Sequence, residues 1–468
     1  MRKIKAFIAA ILACSMSLTF AACGGEKEES KVEYKTLDEA TRATIKDIAA
    51  NDKNLTGELE NKKIKWMSDW DINPDGSGKN VPTDLAVFQE RYGGEIEWIK
   101  VTFDNRYEKL AESINSGEGV DFFYGGNMDA FPKGAVRGMF APIDDYIDFS
   151  TPLWEDVQEV NDATMWNGQH YLATTQVTGD SVAVVYNKNT IQEAGFEDPA
   201  DLYEKGEWTW ETFQEMLVNY ADPDNQKYGI DGWWFEKGLM NTIGVPAIGL
   251  EDGKLVNNLG DPNMARVQNY LYDLFSTDCI AIGVGDYGWT AKPAYIGEGK
   301  SLFYPVGLYT FYREKEQWVK EYGEDAFFVP MPKDPEADEY YIPCGMESYA
   351  FVKGGQNPEG VAKFLECKRC TILNDELREI YDKQMVEDYG WNQEMIDMKN
   401  SMQELADENP FFDFYTGVST DCGSLLDTEL RSAARGIAMW NETYESINGT
   451  VQTYIDEINA NPVAVLTE

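Results

Sequence analysis

Histidine is almost absent from this chain of 468 residues, because His170 is the only one. A Ser-His-Asp triad needs a histidine beside its nucleophile, and His-rich metal sites need several. The sequence therefore argues against both kinds of centre.

The cysteines form no disulfide framework. Five of the seven cysteines lie beyond the first 23 residues, an odd number without framework spacing, namely Cys279, Cys344, Cys367, Cys370 and Cys422. Cys367 and Cys370 make a C-x-x-C inside a helical run, but a zinc or redox site would need a matching second pair. Free thiols outside the cytoplasm would fit an anaerobic source. We predict no metal and no cofactor.

Basic residues are scarce. The chain has 40 Lys and Arg against 82 Asp and Glu, a formal net charge of −42. Nucleic acid and anionic lipid headgroups would be repelled by this charge, and phosphorylated solutes are disfavoured unless a local basic pocket holds them. The acidic residues are spread along the chain, which indicates a solvated surface.

Only the N-terminus has a long hydrophobic run. Basic residues at Arg2, Lys3 and Lys5 precede the apolar stretch 6–20, and the sequence AACG follows at 21–24. This is the layout of a secretory signal peptide, and small residues directly before Cys23 resemble the bacterial lipobox. We predict a signal peptide over 1–22 and lipidation of Cys23. The alternative is an ordinary cleaved signal in which Cys23 is incidental.

Aromatic residues are abundant, with 13 Trp and 26 Tyr. The flat apolar faces of sugars stack on such rings, while sugar hydroxyls bond to Asp, Glu and Asn. Among small solutes, this composition suits carbohydrate best.

The length is too great for one core and predicts two domains. Between residues 63 and 138, strand patterns alternate with helix patterns, which predicts a parallel sheet covered on both faces. The pattern changes at Gly168. The predicted strands are 63–67, 95–101, 120–124, 171–175, 181–187 and 349–352. The predicted helices are 36–51, 82–92, 107–115, 131–138, 209–220, 262–275, 291–298, 311–322, 358–368 and 451–459. The first of these precedes the main fold as an appended helix.

Five blocks in the same order resemble the extracellular solute-binding proteins, family 1, of ABC importers. They are FQERYG at 88–93, the segment 107–123 (YEKL, then SG and VDFF), VVYNK at 184–188 with EAG at 193–195, EWTWETF at 207–213 with YGI at 228–230, and GKSL from 299 with VPMPK at 329–333. Each block alone is weak, but their common order over some 300 residues makes the resemblance specific.

The resemblance implies a periplasmic-binding-protein-like α/β fold, in which two α/β lobes joined by hinge crossings clamp a solute in a central cleft. It places crossings at the Tyr186 strand, at Pro330–Pro332 and near Arg369–Leu373. The expected organisation is a tether and appended helix at 23–61, lobe 1 at 62–180 plus 328–370, and lobe 2 at 181–327 plus 371–468.

Candidate ligand-binding residues of lobe 1 follow predicted strands, where ligands gather in such folds. Trp70, Asp71 and Asn73 come after the first strand. Asp71–Gly76 also begins like a calcium loop but has Pro82 where the bidentate Glu should be, and the third alternative is a plain Asx turn.

Further candidates lie near the later strands of lobe 1. Gly125 and Asn127 follow the VDFFY strand. Glycine has no side chain, so a ligand can approach the backbone closely at this position. Asp180 lies just before the crossing strand. Its spacing in the sequence from Tyr186–Lys188 matches that of a sugar-contacting carboxylate in maltodextrin-binding relatives. The alternative is that Asp180 is a solvated turn residue. Glu347 lies on the return toward lobe 1. Asp121 is expected to hold the geometry between strand and loop.

Lobe 2 contributes aromatic candidates. Trp233, Trp234 and Phe235 are consecutive, and strand neighbours point to opposite faces, so at least one should line the cleft unless both sides are buried. Tyr309 stands two residues past Gly307, where the family often has a stacking ring. Trp289 and Tyr304 are weaker candidates that could equally belong to the core.

The sequence thus predicts a monomeric binding protein, not an enzyme, tethered by lipid to the outer face of a bacterial cytoplasmic membrane. It would capture a carbohydrate, such as an oligosaccharide, and deliver it to the transmembrane subunits of an ABC permease. Nucleic acid is excluded as a partner, and the lipid is the only membrane contact. The alternatives are a polyamine or peptide binder, a sensor or adhesion protein of the same fold, and a lipid-anchored glycoside hydrolase, which would need two carboxylates at a set separation.

Overall fold

A computed structural model describes residues 37–74, 81–232 and 234–461. The strands of these residues are β1 Lys63–Ser68, β2 Glu95–Lys100, β3 Phe122–Tyr124, β4 Phe140–Ala141, β5 Ala173–Thr178, β6 Ala183–Asn187, β7 Tyr228–Ile230, β8 Ile248–Glu251, β9 Lys254–Asn257, β10 Ser301–Val306, β11 Ala326–Pro330 and β12 Gly345–Val352.

The α-helices of the same residues are α1 Glu39–Asn51, α2 Thr83–Tyr92, α3 Arg106–Ser116, α4 Lys133–Val136, α5 Gln158–Ala163, α6 Lys188–Ala194, α7 Pro199–Glu204, α8 Trp210–Tyr220, α9 Phe235–Asn241, α10 Pro262–Phe275, α11 Ala294–Gly297, α12 Lys315–Tyr322, α13 Pro358–Leu373, α14 Asp375–Tyr389, α15 Gln393–Glu408, α16 Tyr415–Val418, α17 Thr420–Ala434 and α18 Trp440–Ala460. Within the described ranges, no helix is long and apolar enough to span a bilayer.

The first sheet has the strand order β2-β1-β3-β12-β4, with β5 also paired to β12. β1 runs parallel to β2 and β3, as predicted. β12 runs antiparallel to β3, β4 and β5, so the complete sheet is mixed. Hydrophobic periodicity identifies a buried strand. Whether that strand runs parallel or antiparallel to its neighbour depends on the edge of the sheet at which the preceding segment ends.

The second sheet has the order β11-β6-β10-β7. β7 and β10 are parallel, whereas β6 is antiparallel to both β10 and β11. Every residue of β6 and β10 is buried, so this sheet is covered on both faces. A separate hairpin joins β8 to β9 through Asp252 and Gly253 at φ 48° and 70°, the left-handed conformations that a type I′ turn requires.

Two strand-to-strand crossings connect the sheets. The chain leaves the first sheet at Thr178 and enters the second at Ala183, and it returns between Pro330 and Gly345. The predicted cut at 328 falls inside β11, whose five residues all pair with β6 of the second sheet. The other lobe boundaries remain predictions.

The predicted third crossing near Arg369–Leu373 remains a prediction, and it is followed by α14, which contacts elements of both halves. Near the middle of α14, Gln384 donates to the Val81 carbonyl oxygen at 2.9 Å, just before α2. At its end, the Tyr389 carbonyl accepts from Trp318 of α12 at 2.9 Å. The sequence pattern predicts the helix at 358–368, whereas α14 was not predicted, and its contacts with both α2 and α12 depend on the tertiary structure.

Several element bounds differ from the predictions. α4, α11 and α12 are shorter than predicted, and α18 is longer. β5 continues to Thr178, through residues that the sequence assigned to a loop, because they pair with β12 about 170 residues away. Pairing between residues this far apart in the sequence leaves no pattern in the residues around either strand.

The appended helix α1 packs against α2 and α14. Asp38 caps it by accepting from the Thr41 amide at 2.7 Å, and Ile45 and Ala49 are its buried residues. α1 is therefore packed on the first half of the fold and is more than a spacer.

Candidate functional site

Trp70 lies just past β1 with 38% of its surface exposed. Its ring meets Tyr124 edge-on at 4.9 Å between centroids, and Trp66 edge-on at 5.5 Å. Trp66 also donates from Nε1 to the Trp70 carbonyl at 3.3 Å. Because Tyr124 ends β3, which is parallel to β1, the two rings share the carboxyl edge of the first sheet.

Asp71 and Asn73 form an Asx turn beside Trp70. The Asn73 amide nitrogen and Nδ2 both donate to Asp71 Oδ1 at 2.9 Å, and Nδ2 also reaches the Ile96 carbonyl of β2 at 3.1 Å. These bonds fit the Asx-turn alternative and fasten the loop to the sheet. The rest of the calcium-like motif, Asp75 and Gly76, lies outside the described residues. Among the residues that are described, no group of three His, Cys, Asp or Glu is placed to hold a metal ion.

The glycines after β3 are needed for packing within the protein. A Cβ on Gly125 would lie 2.6 Å from Leu172 Cδ2, and one on Gly126 would lie 2.2 Å from the Met346 carbonyl oxygen. Asn127, the next residue, is exposed. The predicted ligand contacts of Gly125 and Asn127 remain predictions.

Asp121, at the start of the same segment, is a structural residue, as predicted. Its Oδ1 accepts from the amides of Gln356 and Asn357, each at 2.7 Å, and its Oδ2 accepts from the Lys65 amide at 2.8 Å.

Glu347 is held at a β-bulge in β12, where the pairing with β5 shifts register between Glu347 and Ser348. A bulge re-aims the side chain at that position. The Glu347 carboxylate accepts from the hydroxyls of Tyr124, at 3.4 Å, and Tyr349. Burial first, and then the charge of Glu347, raise the pKa of both tyrosines well above the usual value. Both hydroxyls therefore stay protonated donors.

Lys368 adds a largely shielded cation, with 16% of its side chain exposed, that the sequence did not single out. Its Nζ lies 2.7 Å from Asp84 Oδ2 and 3.5 Å from Glu347 Oε1. Burial lowers the pKa of Lys368, but the charges of Asp84 and Glu347 outweigh burial and raise it overall. In the sequence, Lys368 stands within the polar run of a helix, and its partner Asp84 is 284 residues away, so no local pattern marks the pair.

Asp180 connects the first half of the fold to the second. Its side chain accepts from the Tyr312 hydroxyl at 2.8 Å, and its carbonyl accepts from the Leu308 amide at 3.0 Å. Burial and then the Asp180 charge raise the pKa of Tyr312 and Tyr381, and Asp180 also contributes to the raised pKa of Tyr124. Asp180 therefore lies close to β3 of the first sheet and to the segment after β10 of the second.

Trp234 and Tyr309 are exposed rings at the carboxyl edge of the second sheet. Trp234 follows β7 and Tyr309 follows the parallel strand β10, with ring centroids 6.5 Å apart. Trp234 is 42% exposed and Tyr309 60%. The strand assignment for these aromatics is wrong, because β7 ends at Ile230 and Phe235 begins α9, where it is buried. Trp233 lies outside the described residues.

Trp289 and Tyr304, the weaker candidates, differ in their exposure to solvent. Tyr304 is buried in β10 and belongs to the core, whereas Trp289 is 67% exposed. Among the described tryptophans, the exposed ones are Trp70, Trp234 and Trp289.

The contacts and burial of His170 and of the described cysteines indicate structural roles. His170 is buried, with its ring nitrogens 2.7 Å from Asp144 Oδ1 and 3.3 Å from Asp162 Oδ1. The five cysteines in the described ranges are free, and burial raises the pKa of Cys344, Cys370 and Cys422 to about 12. These thiols are protonated and unreactive at neutral pH.

The arrangement suits reversible binding. Exposed ring faces can stack on a flat, partly apolar ligand, and the carboxylates of Asp180 and Glu347 can accept hydrogen bonds from its hydroxyls. Two sheets joined by crossing segments, with candidate residues at the carboxyl edges of both, are typical of two-lobed solute-binding proteins.

A family comparison agrees with this class. Residues 69–367 match the model of the bacterial extracellular solute-binding proteins, and the chain belongs to this family. A maltotriose-binding protein of Pyrococcus abyssi (strain GE5 / Orsay) is 29% identical over 306 residues. That match spans 62% of this chain and 62% of the relative's length.

Solved structures show the same fold. The GacH receptor of Streptomyces glaucescens, studied unliganded and with acarbose, superposes with a TM-score of 0.59 at 15% identity, covering 84% of this chain and 98% of the receptor. The cyclic α-maltosyl-1,6-maltose binding protein of Arthrobacter globiformis also gives a TM-score of 0.59 at 15% identity, covering 86% of this chain and all of that chain. The periplasmic-binding-protein-like fold that the sequence predicted is confirmed.

Proposed function

We propose that this protein captures a carbohydrate between its two halves and delivers it to the transmembrane subunits of an ABC importer. The observation that carries the proposal is the placement of exposed aromatic rings at the carboxyl edges of both sheets, Trp70 on one and Trp234 with Tyr309 on the other. Asp180 ties the two edges together.

The chemistry of these groups supports a neutral saccharide. Ring faces supply the stacking surface, and Asp180 and Glu347 supply charged acceptors for hydroxyls. Because the nearby Lys368 is already occupied by Asp84 and Glu347, it offers no free cation to a uronate or phosphate. The sugar-binding relatives named above support the same ligand class.

The anchoring and the non-enzymatic role belong to the same proposal. We propose that Cys23 carries a lipid, that the protein works as a monomer at the outer face of the membrane, and that the ligand leaves unaltered. Mass spectrometry of protein from its native membrane tests the first point, because a diacylglyceryl group on an N-terminal Cys23 supports anchoring and an unmodified N-terminus contradicts it.

Titration calorimetry with a panel of α-linked oligosaccharides, spermidine and a short peptide tests the ligand class. We expect saccharide binding with the sugar recovered intact by chromatography. Binding of spermidine or peptide alone would contradict the carbohydrate proposal, and released sugar products would support a glycoside hydrolase.

Two single variants test the site. Trp70→Ala and Trp234→Ala should each weaken saccharide binding by about 1–2 kcal/mol, roughly 5- to 30-fold. Tyr146→Ala is the matched control, since Tyr146 is 40% exposed and contacts Phe351, which lies in β12 away from the Glu347 end. Equal affinities in all three variants would remove the two tryptophans from the site.

A further inference from the structure

The two carboxylate oxygens of Glu347 have different surroundings. Oε1 accepts from the Tyr349 hydroxyl and lies 3.5 Å from Lys368 Nζ. Oε2 accepts from the Tyr124 hydroxyl in a long bond of 3.4 Å, which is its one hydrogen bond among the described residues. Each carboxylate oxygen has two lone pairs, so Oε2 keeps an acceptor site for a donor that the protein does not supply.

Oε2 lies on the side of the candidate site. Its partner Tyr124 meets the exposed ring of Trp70 edge-on at 4.9 Å, and 30% of the Glu347 side chain is exposed. The backbone of Glu347 is fixed, since the Thr175 hydroxyl donates to its carbonyl oxygen at 2.9 Å. The direction of the carboxylate therefore depends on what holds the end of the side chain.

Lys368 is in turn held by its own neighbours. Its Nζ lies 2.7 Å from Asp84 Oδ2, and only 16% of its side chain is exposed. The same nitrogen lies 5.5 Å from the ring centroid of Tyr349 and 5.9 Å from that of Phe364. An ammonium anchored in this way is a fixed point to which a carboxylate oxygen can be bound.

We infer that Lys368 is a positioning residue for ligand binding, which holds Oε1 of Glu347 so that Oε2 is aimed at a hydroxyl of the bound saccharide beside Trp70. The lysine acts through Glu347 and does not itself contact the ligand. A side chain that is ordered before binding spares the ligand the entropy of ordering it, which is about 2- to 10-fold in affinity. The inference rests on the proposed function.

A double-mutant cycle tests the inference, by calorimetry with α-linked glucans from the disaccharide to the hexasaccharide. For the glucan that binds most tightly, Lys368→Met should weaken binding about 3- to 10-fold and Glu347→Gln about 5-fold. The double variant should bind within about twofold of Glu347→Gln, because the lysine has no effect once its carboxylate is gone. A merely structural lysine would instead weaken binding equally in both backgrounds.

Two further variants complete the cycle. Lys368→Arg keeps a cation opposite Oε1 and should restore most of the affinity. Lys363→Met is the matched control, because Lys363 lies in the same helix with 24% of its side chain exposed and pairs with Glu366 at 2.7 Å. It should bind every glucan as the unaltered protein does.

The outcomes separate the inference from the proposed function. Unchanged affinity in Lys368→Met or in Glu347→Gln, or losses that add in full in the double variant, would overturn the positioning role and leave saccharide binding intact. If the unaltered protein binds none of the glucans, both fall. Thermal melting checks that each variant is folded, and Lys368→Gln, which keeps a donor for Asp84 without the charge, replaces Lys368→Met if the methionine variant is unfolded.

Discussion

Lys368 of α13 and Asp84 of α2 form an ion pair of 2.7 Å that is largely shielded from solvent, with side chains 16% and 14% exposed. Glu347 of β12 completes the group at 3.5 Å from the same ammonium. One lysine thus links two helices to the strand that carries a candidate ligand-binding carboxylate, and it balances two acidic groups that would otherwise repel each other.

Replacing this lysine should destabilise the fold. Lys368→Met leaves Asp84 and Glu347 facing one another without a cation, which we expect to lower the free energy of unfolding by about 3 kcal/mol. Urea denaturation followed by circular dichroism measures the change. Lys109→Met removes an exposed lysine paired with Glu112 and should cost less than about 0.5 kcal/mol. Similar midpoints for the two variants would contradict the buried-pair interpretation.

Removing the charge at Asp180 should weaken saccharide binding. An amide accepts a hydrogen bond less strongly than a carboxylate, so Asp180→Asn should cost about 1–2 kcal/mol of binding free energy, measured by calorimetry. Asp427→Asn is the matched control, because Asp427 likewise accepts from a tyrosine hydroxyl, that of Tyr415 at 2.6 Å, but lies in α17. Unaltered affinity in Asp180→Asn would leave Asp180 with only a structural role.

Two glycines should respond to alanine in opposite directions. A Cβ on Gly417 would lie 1.9 Å from the Phe131 carbonyl oxygen, so Gly417→Ala should destabilise the protein by several kcal/mol or prevent folding. Gly449 is inside α18 with nothing within 4 Å of its Cβ position, and Gly449→Ala should stabilise the protein by about 0.5–1 kcal/mol. Thermal melting compares them, and a lower melting temperature for Gly449→Ala would show that the site is crowded.

Stability should increase as the pH falls from neutral toward the ordinary pKa range of carboxyl groups. Burial is the main cause that raises the pKa of Asp231, Glu236 and Asp413. A carboxyl with a higher pKa in the folded state binds its proton more tightly there, so its contribution grows as pH falls and is lost as pH rises. The lowered pKa of Asp38, about 2, opposes this only in stronger acid.

Melting temperatures at pH 8 and pH 5.5, at constant ionic strength, measure this dependence. The net charge of −42 acts in the same direction, and added salt screens that repulsion more than it affects the buried carboxyls. A difference that survives at high salt supports the buried groups, whereas a lower melting temperature at pH 5.5 would contradict the assignment.

Part of the candidate site was predictable because it follows a predicted strand. Trp70 after β1 stands where chain direction alone brings residues to the carboxyl edge of a parallel pair. Tyr309 was identified through the family resemblance, and the strand before it, β10, was not predicted. Trp234 was identified by a different argument, since adjacent aromatics cannot all be buried on one side, although it lies before a helix and not in a strand.

Other parts of the site were out of reach of the sequence. Tyr124, Lys368 and Tyr312 acquire their importance from partners more than 100 residues away. A lysine in an amphipathic helix looks solvent-exposed in sequence, and only packing against α2 and β12 makes Lys368 a buried cation.

The sequence by itself determined the alternation of helices and strands, the acidic surface, the scarcity of catalytic histidine and the family of the chain, because periodicity, composition and ordered motifs are properties of neighbouring residues. Tertiary structure decided that β12 runs against β3, that α14 contacts both Val81 before α2 and Trp318 of α12, and which of the described tryptophans stay exposed. Those outcomes depend on where distant segments meet, and burial and hydrogen bonding between them are set only when the whole core packs together.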